Sequence, residues 1–130
     1  MRHLKFRVWD KLAERFTRCD EGYQGHYVLS LKGEFHNLQN GSGGDECIVQ
    51  QYTGLKDKNG KEIYEGDIVK ATSDQYENEN FVGKVIFDVG QFLTWIHKND
   101  IRGIWGEDDI EVIGNIFENK DLLENLKNKL

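Results

Sequence analysis

The sequence has no proline and only two cysteines among its 130 residues. Average usage would give roughly six prolines, so no X–Pro bond is present whose slow isomerisation could delay folding. Neither Cys19 nor Cys47 lies in a Cys-x-x-Cys or Cys-x-x-His pair, and the four histidines are scattered. Because local ligand spacing of this kind nucleates zinc sites, we predict no metal and no cofactor.

Long apolar runs are missing as well. No run approaches the roughly 20 residues that cross a bilayer, and the charged, alternating amino terminus is unlike a signal peptide. We therefore expect a cytoplasmic protein without membrane contact. In that reducing compartment both cysteines should remain free thiols.

Positive charge is scarce overall and uneven along the chain. The net charge is -6 and the pI is about 5.2, which argues against a broad basic surface for nucleic acid. Residues 1–19 nevertheless carry six Lys/Arg against two acidic residues, a net of +4, so residues 20–130 carry -10. Arg2, Lys5 and Arg7 could form a small basic patch beside Trp9, although solvated positions on a hairpin are the favoured interpretation.

The remaining composition is that of one soluble globular domain over residues 1–130. Hydrophobic residues make up 38% and charged residues 31%, enough for a core and a well-solvated surface. Leu4, Phe6 and Val8 alternate with Lys5, Arg7 and Trp9, as in a half-buried strand. Further strands are predicted at 27–31, 34–38, 47–52, 81–87, 91–96 and 109–117, and residues 63–70 are predicted as a turn that leads into a strand.

Glycine and asparagine turns join these strands, and Asn59–Gly60 is the strongest turn signal. Short strands at this spacing predict a small barrel or sandwich. The carboxy-terminal end of the chain is predicted to be helical instead. Asn119 can cap a helix over residues 121–130 that carries four leucines on one face. We favour packing of this helix on its own domain over a dimer seam, and leave a homo-oligomer open.

Three parts of the sequence carry residue types suited to chemistry. The Gly-rich segment 40–45 lacks the Gly-Lys-Ser/Thr ending of a phosphate-binding loop and is followed by acidic residues, so a plain connection is favoured. Glu107, Asp108, Asp109 and Glu111 follow Trp105 and could hold a divalent cation. The closest downstream lysine is Lys120, so the carboxylate-plus-lysine spacing of a nuclease is missing and a solvated turn is favoured.

Aromatic and basic residues in the carboxy-terminal half form the third segment. Together they could stack single-stranded bases or line a peptide groove. Core packing is favoured for most of the aromatics, because Phe92 and Trp95 differ in strand parity. The set comprises Phe87, Phe92, Trp95, Trp105, Lys84, Lys98 and Arg102.

Three segments resemble the phage-encoded YopX family: residues 5–11, 51–69 and 111–119. The central one, Gln-Tyr-Thr-Gly-Leu-Lys-Asp-Lys-Asn-Gly-Lys-Glu-Ile-Tyr-Glu-Gly-Asp-Ile-Val, is long and unusual. The resemblance implies a phage or prophage origin in a bacterial host and a mainly β fold containing a small SH3-like barrel. It implies N-terminal β-hairpins over about 1–50, the barrel over about 51–118, and a short C-terminal α-helix over about 119–130.

The resemblance implies no established reaction and therefore carries no catalytic residues. Glycines and short polar side chains in the matching segments suit tight turns, so we assign these residues structural roles. They are Tyr52, Thr53, Gly54, Leu55, Asp57, Gly60, Tyr64, Gly66, Asp67, Gly114 and Asn115.

These observations favour a non-enzymatic phage accessory protein that binds a host or phage protein. A nucleic-acid-binding module is the alternative, and a metal-dependent nuclease ranks last. The predicted interaction surface is acidic or aromatic with a basic contribution from the first strand. Its candidate residues are Arg2, Lys5, Arg7, Trp9, Trp95, Trp105, Glu107, Asp108 and Asp109.

Overall fold

A computed structural model describes residues 4–17, 27–32, 35–37, 47–72, 80–98, 100–103 and 110–127. This part of the chain is mainly antiparallel β-structure with one short helix, which confirms the predicted fold class. The elements are β1 (Phe6–Asp10), β2 (Arg15–Thr17), β3 (Tyr27–Leu29), β4 (Phe35–Asn37), β5 (Cys47–Lys56), β6 (Glu62–Tyr64), β7 (Asp67–Ala71), β8 (Phe81–Asp88), β9 (Gln91–His97), β10 (Asp100–Gly103), β11 (Ile110–Asn115) and α1 (Lys120–Lys127).

The chain divides into two compact units, residues 4–51 and residues 52 onward. In the amino-terminal unit, β1 pairs antiparallel with β2 and with the first half of β5. The predicted hairpin around Lys32 is present as β3 and β4, with Tyr27 opposite Asn37. That the whole chain is one domain stays a prediction.

The predicted apolar face of β1 is wrong in part. Val8 is buried as expected, but Leu4 and Phe6 are exposed and Trp9 is buried. The strand begins only at Phe6, so Leu4 lies beyond it. The alternation of apolar and polar residues predicts on which face of the strand a side chain lies. Whether that side chain is buried depends on where the segments that cover the face end.

The second unit is built on a five-stranded antiparallel sheet in the order β10-β9-β8-β7-β11. Because β11 returns to pair with β7, Val112 lies opposite Val69. One face of this sheet buries the apolar core, to which Ile63 of β6 also contributes. The strand order is compatible with an SH3-like barrel, and closure of that barrel stays a prediction. The core residues are Ile63, Val69, Ala71, Phe81, Val85, Ile96 and Ile110.

Strand β5 is longer than predicted. It was expected to end at Tyr52 but runs to Lys56, and its pairing with β6 shifts between Tyr52 and Lys56. Gly54 lies within this irregular stretch at φ +91°, a conformation that a glycine adopts without steric cost. The glycine thus allows the strand to continue through a bulge.

Helix α1 packs on its own unit, as favoured from the sequence, through contacts with β8, β9 and β11. Leu126 is almost fully buried there. Asn119 precedes the first helical residue, and its carbonyl accepts a hydrogen bond from the amide of Leu123 at 3.2 Å. No helix in the described ranges is both long and apolar enough to span a membrane.

Candidate functional site

Asp57 lies in the β5–β6 turn of the central family-like segment, residues 51–69. Its Oδ1 accepts hydrogen bonds from the amides of Asn59 and Lys61, each at 2.9 Å. Its Oδ2 accepts a third from the amide of Val112, also at 2.9 Å. The carboxylate therefore organises the turn and fastens it to β11.

The pKa of Asp57 reflects these contacts. Burial alone raises it, but the amides of Val112, Lys61 and Asn59 stabilise the ionised form, and the charge of Lys61 adds to them. The net result is a pKa below the ordinary value of 3.8. Asp57 is thus a fixed anion with its oxygens occupied, which suits a structural role better than acid–base chemistry.

The backbone of the same turn has a special geometry at Gly60. Its amide donates to the Asp57 carbonyl at 2.9 Å, and its φ is +81°. Asn59 does not share this left-handed conformation. The turn is therefore a three-residue loop closed by a glycine rather than a two-residue turn centred on Asn59–Gly60.

A second turn, between β6 and β7, joins separate parts of the unit. The amide of Gly66 donates to the Val85 carbonyl at 2.7 Å, and the Gly66 carbonyl accepts from the amide of Ile116 at 2.9 Å. Asp67 is buried, and its Oδ2 accepts from the amide of Tyr64 at 2.8 Å. These bonds hold the turn against both β8 and the segment that follows β11.

The end of β11 is held by side-chain amides. Asn115 Oδ1 accepts from the amides of Phe117 and Glu118 at 3.0 and 2.9 Å. Asn119 Oδ1 accepts from the Asn115 amide at 3.1 Å. A Cβ on Gly114 would lie 2.5 Å from that same Oδ1, so a larger residue would displace the Asn119 side chain and break its bond to Asn115.

The other motif residues make local contacts within β5 and β6. The Thr53 hydroxyl donates to the Ile63 carbonyl at 2.8 Å and accepts from the Leu55 amide at 3.2 Å. The rings of Tyr52 and Tyr64 lie 5.5 Å apart, and Leu55 packs against the core. The geometry therefore provides structural contacts throughout the family-like segments.

The basic first strand contributes less accessible surface than the sequence indicates. Lys5 is exposed, but Arg7 is half-buried, with Nε donating to Gln50 Oε1 at 2.8 Å and its guanidinium 4.5 Å from the centre of the Phe16 ring. Trp9 packs edge-on against Phe16 with ring centres 5.0 Å apart. Trp9 is buried, and its part in an interaction surface stays a prediction; Arg2 lies outside the described residues.

The predicted aromatic and basic face is divided between two sides of the sheet. Phe87 lies opposite Phe92, whereas Lys84 lies opposite Trp95, and three-residue spacing along a strand places Lys84 and Phe87 on different faces. Lys84 Nζ lies 5.0 Å from the centre of the half-buried Trp95 ring. Trp105 lies outside the described residues.

Arg102 is already engaged. Its Nε and Nη2 donate to the two carboxylate oxygens of Asp100 at 2.9 and 3.0 Å, and its guanidinium lies 5.0 Å from the Phe81 ring centre. The hydrogen bond from Arg102 lowers the pKa of Asp100 below its ordinary value. This pairing leaves Arg102 poorly suited to binding phosphate.

Of the acidic segment, Glu107, Asp108 and Asp109 lie outside the described ranges. Glu111, next along the chain, lies 3.6 Å from Lys58 Nζ in a partly exposed ion pair. A lysine therefore does lie beside this acidic residue, but it comes from the β5–β6 turn. It is distant in sequence, so the spacing of residues near Glu111 does not reveal it. No group of three or more His, Cys, Asp or Glu among the described residues is arranged to hold a metal ion.

Sequence reasoning missed a group of exposed aliphatic side chains on hairpin turns, which we call the turn-tip residues: Leu12, Leu31 and Val89. Their exposed fractions are 76%, 109% and 84%. Turns usually carry Gly, Asn, Asp or Ser, so Val89, an aliphatic residue between two predicted strands, departs from the usual turn composition, whereas Leu31 lies inside a predicted strand. Phe87, from the aromatic set for most of which core packing was favoured, is 54% exposed next to the last of these turns.

The fold and its hydrogen-bonded turns define a small, mainly antiparallel β protein with a carboxy-terminal helix. The family model described as YopX protein matches residues 5–124. The chain therefore belongs to the YopX family, as the sequence resemblance predicts. The family match covers both of the compact units described above.

A curated relative is the SPbeta prophage-derived uncharacterized protein YopX of Bacillus subtilis (strain 168), which is 40% identical over 74 residues. The match covers 52% of this chain and 54% of the relative, so it spans about half the length of that protein. The prophage origin of the relative agrees with the phage or prophage origin that the resemblance implies.

Two crystal structures share the fold. Protein yopX from Bacillus subtilis is 26% identical with a TM-score of 0.63, covering 95% of this chain and 97% of that one. Protein EF1440 from Enterococcus faecalis is 25% identical with a TM-score of 0.61, covering 95% and 99%. The similarity in both cases extends over nearly the whole chain.

Proposed function

We propose that this chain is a non-enzymatic phage accessory protein that binds a host or phage protein in the bacterial cytoplasm. The observation that supports this function is the exposure of the turn-tip residues Leu12, Leu31 and Val89. Burying an aliphatic side chain of this size is worth about 1.5–3 kcal/mol. The folded chain gains little of that energy at these positions, and a partner would supply it.

The described residues of these turns carry local hydrogen bonds. In the β1–β2 turn, Asp10 Oδ1 accepts from the amides of Leu12 and Ala13, and the Asp10 carbonyl accepts from the amide of Glu14 at 2.8 Å. In the β3–β4 turn, Ser30 Oγ accepts from the Lys32 amide. A turn already held in one conformation loses less entropy on binding, which favours recognition.

The test is affinity purification from phage-infected host cells with quantitative mass readout. The wild-type chain should recover a protein in stoichiometric amount, and the triple variant Leu12→Asn/Leu31→Asn/Val89→Asn should recover at least tenfold less. A matched variant at exposed polar positions, Lys70→Ala/Lys98→Ala, should behave as wild type. Turnover by the purified protein, with no stoichiometric partner, would contradict the proposal.

A nucleic-acid-binding module is the second candidate. It is supported by the exposed side chains of Lys5, Lys11 and Arg15 in and around the β1–β2 hairpin. Binding of this kind weakens steeply with salt. A gel shift of DNA or RNA at low salt that disappears in Lys5→Ala/Lys11→Ala/Arg15→Ala would support it, and the absence of any shift would exclude it.

A further inference from the structure

The β8–β9 turn differs from the other exposed turns in its backbone. Asp88 pairs with Gln91, so Val89 and Gly90 form a two-residue turn, with φ values of +53° and +75°. Positive φ at both positions is the geometry that Asn-Gly ordinarily occupies. A β-branched residue adopts it only with backbone strain.

Nothing within the described residues compensates for that strain. Val89 is largely exposed, and its amide donates to Asp88 Oδ1 at 3.0 Å, a bond that any residue with a backbone amide could make. Asparagine or glycine at this position would relieve the strain and remove the exposed apolar group. Val89 is thus less favourable for the stability of the free chain than asparagine or glycine would be at this position.

Two phenylalanines extend the apolar surface at this end of the hairpin. Phe87 and Phe92 form a cross-strand pair with ring centres 5.0 Å apart, in an edge-to-face arrangement. We call Phe87, Val89 and Phe92 the hairpin-tip patch. Aromatic side chains beside a fixed turn offer a large contact area with little entropy to lose.

We infer that the hairpin-tip patch is the main docking surface of this module, and that its partner is a protein segment combining apolar and basic side chains. The inference rests on the proposed function and adds the location and the chemistry of the partner. Apolar groups match Phe87 and Val89. Basic groups match the exposed Asp88, which is the only charged residue from Val85 to Phe92.

The charge of the whole chain favours the same partner. Residues 20–130 carry -10, which repels nucleic acid, anionic lipid surfaces and the acidic surface of a second copy, and attracts a basic segment. The hairpin-tip patch is therefore expected to prefer basic partners over acidic ones, in addition to requiring apolar contact.

A random dodecapeptide display library provides the test. It is selected on the wild-type chain and counter-selected on the variant Phe87→Ser/Val89→Asn. Enriched peptides should combine Lys or Arg with Leu or Phe. A labelled enriched peptide, measured by fluorescence anisotropy, should bind the wild type at least tenfold more tightly than the variant, and more weakly as salt rises from about 50 to about 300 mM.

Two controls separate binding from folding. Val89→Asn alone should raise the melting temperature, because it relieves the strained turn, and should weaken peptide binding. Thr72→Ala, at an exposed polar position just after β7, should leave peptide binding unchanged.

Several results would overturn the inference: enriched peptides that are acidic or uncharged, no enrichment above the counter-selected variant, or equal binding to both. Self-association or binding of anionic vesicles that depends on Phe87 and Val89 would overturn it in favour of those occupants. If the partner recovered from cells is lost with Leu12→Asn/Leu31→Asn but kept with Phe87→Ser/Val89→Asn, the proposed function stands and this inference fails.

Discussion

Asp57 stabilises the β5–β6 turn more than any neighbouring side chain in that turn. One buried carboxylate satisfies three backbone amides from two segments far apart in sequence, the β5–β6 turn and β11. Hydrogen bonds to an ionised acceptor are worth about 1.5–3 kcal/mol each. The side chain is therefore expected to be as important for stability as an apolar core residue.

Replacing Asp57 with asparagine should destabilise the fold by about 3 kcal/mol. The amide oxygen can retain the bonds to Asn59 and Lys61, but the amide NH2 would then face the N–H of Val112, donor against donor. Urea unfolding at neutral pH would measure the loss. Asp88→Asn, at an exposed carboxylate with one local bond, is the control and should change stability by no more than about 0.5 kcal/mol.

The lowered pKa of Asp57 also fixes the pH range of its contribution. A folded-state pKa below the value of about 3.9 in an unfolded chain means that the stabilisation is complete above that value. It is lost as pH falls through the folded-state pKa. The stability gap between wild type and Asp57→Asn should hold from pH 7 to about 5 and narrow only below about 4; a gap that closes near pH 6 would contradict this assignment.

Thr94 is a contrasting case, because it is fully buried and its hydroxyl has no hydrogen-bond partner among the described residues. A buried polar group without a partner costs about 1–3 kcal/mol. Thr94→Val keeps the shape and removes the hydroxyl, so we expect a gain of about 1 kcal/mol in thermal or urea unfolding.

Thr53 supplies the matched control for that substitution. Its hydroxyl both donates to Ile63 and accepts from Leu55, so Thr53→Val should cost about 1 kcal/mol. If both substitutions destabilise equally, the Thr94 hydroxyl has a partner in solution and the reasoning is wrong.

At the scale of an element, the pairing of β8 with β9 depends on a glycine, Gly83, which has no side chain. A Cβ on Gly83 would lie 2.7 Å from Thr94 Cγ2 and 2.8 Å from the Trp95 carbonyl oxygen. The carbonyl belongs to a paired strand and cannot move away without disturbing the sheet. Gly83 is thus required by close approach of the strands.

We expect Gly83→Ala to destabilise the protein by about 2–3 kcal/mol through overpacking. Gly103→Ala is the comparison, since a Cβ there would meet no atom within 4 Å and the change should be within about 0.5 kcal/mol. Circular dichroism melts of the two variants measured side by side would decide. Equal stability of both would show that β9 can yield at Thr94 and Trp95.

The strands also show how much of the fold can be predicted from the local sequence pattern. The β8–β9 hairpin was predicted nearly to its bounds, and strand parity correctly separated Phe92 from Trp95. Core packing was favoured for most of the aromatics, but Phe87 is exposed, although it shares a face with the buried Val85. The odd or even position of a residue along a strand determines on which face of the sheet its side chain lies. The buried core nevertheless ends before Phe87, because other strands determine how far it extends.

At the scale of the whole molecule, the absence of proline makes a kinetic prediction. Refolding from urea should show no phase of tens of seconds with the activation energy of about 20 kcal/mol that marks prolyl isomerisation. A double-jump stopped-flow experiment, with unfolding delays from milliseconds to minutes, measures this directly. Amplitude that grows with delay on the minute scale would contradict the expectation, and added prolyl isomerase should have no effect.

The candidate site was predictable only in part. Lys5 and the structural motif residues could be named from the chain, because charge alternation and turn chemistry are local. The turn-tip residues were missed, since an exposed leucine or valine in a loop has the same sequence signature as one that folds back onto a core. The Lys58–Glu111 pair was also missed, because its members meet only when the β5–β6 turn packs against β11.

The sequence by itself determined the β class, the turn positions, the uneven charge and the family of this protein, because each depends on backbone preferences and residue order over short spans. The tertiary structure decided which apolar residues are covered: Trp9 inside and Phe87 outside. It also decided that Asp57 reaches Val112 and that Val89 occupies a strained turn. These outcomes depend on contacts between distant segments, which no local pattern encodes.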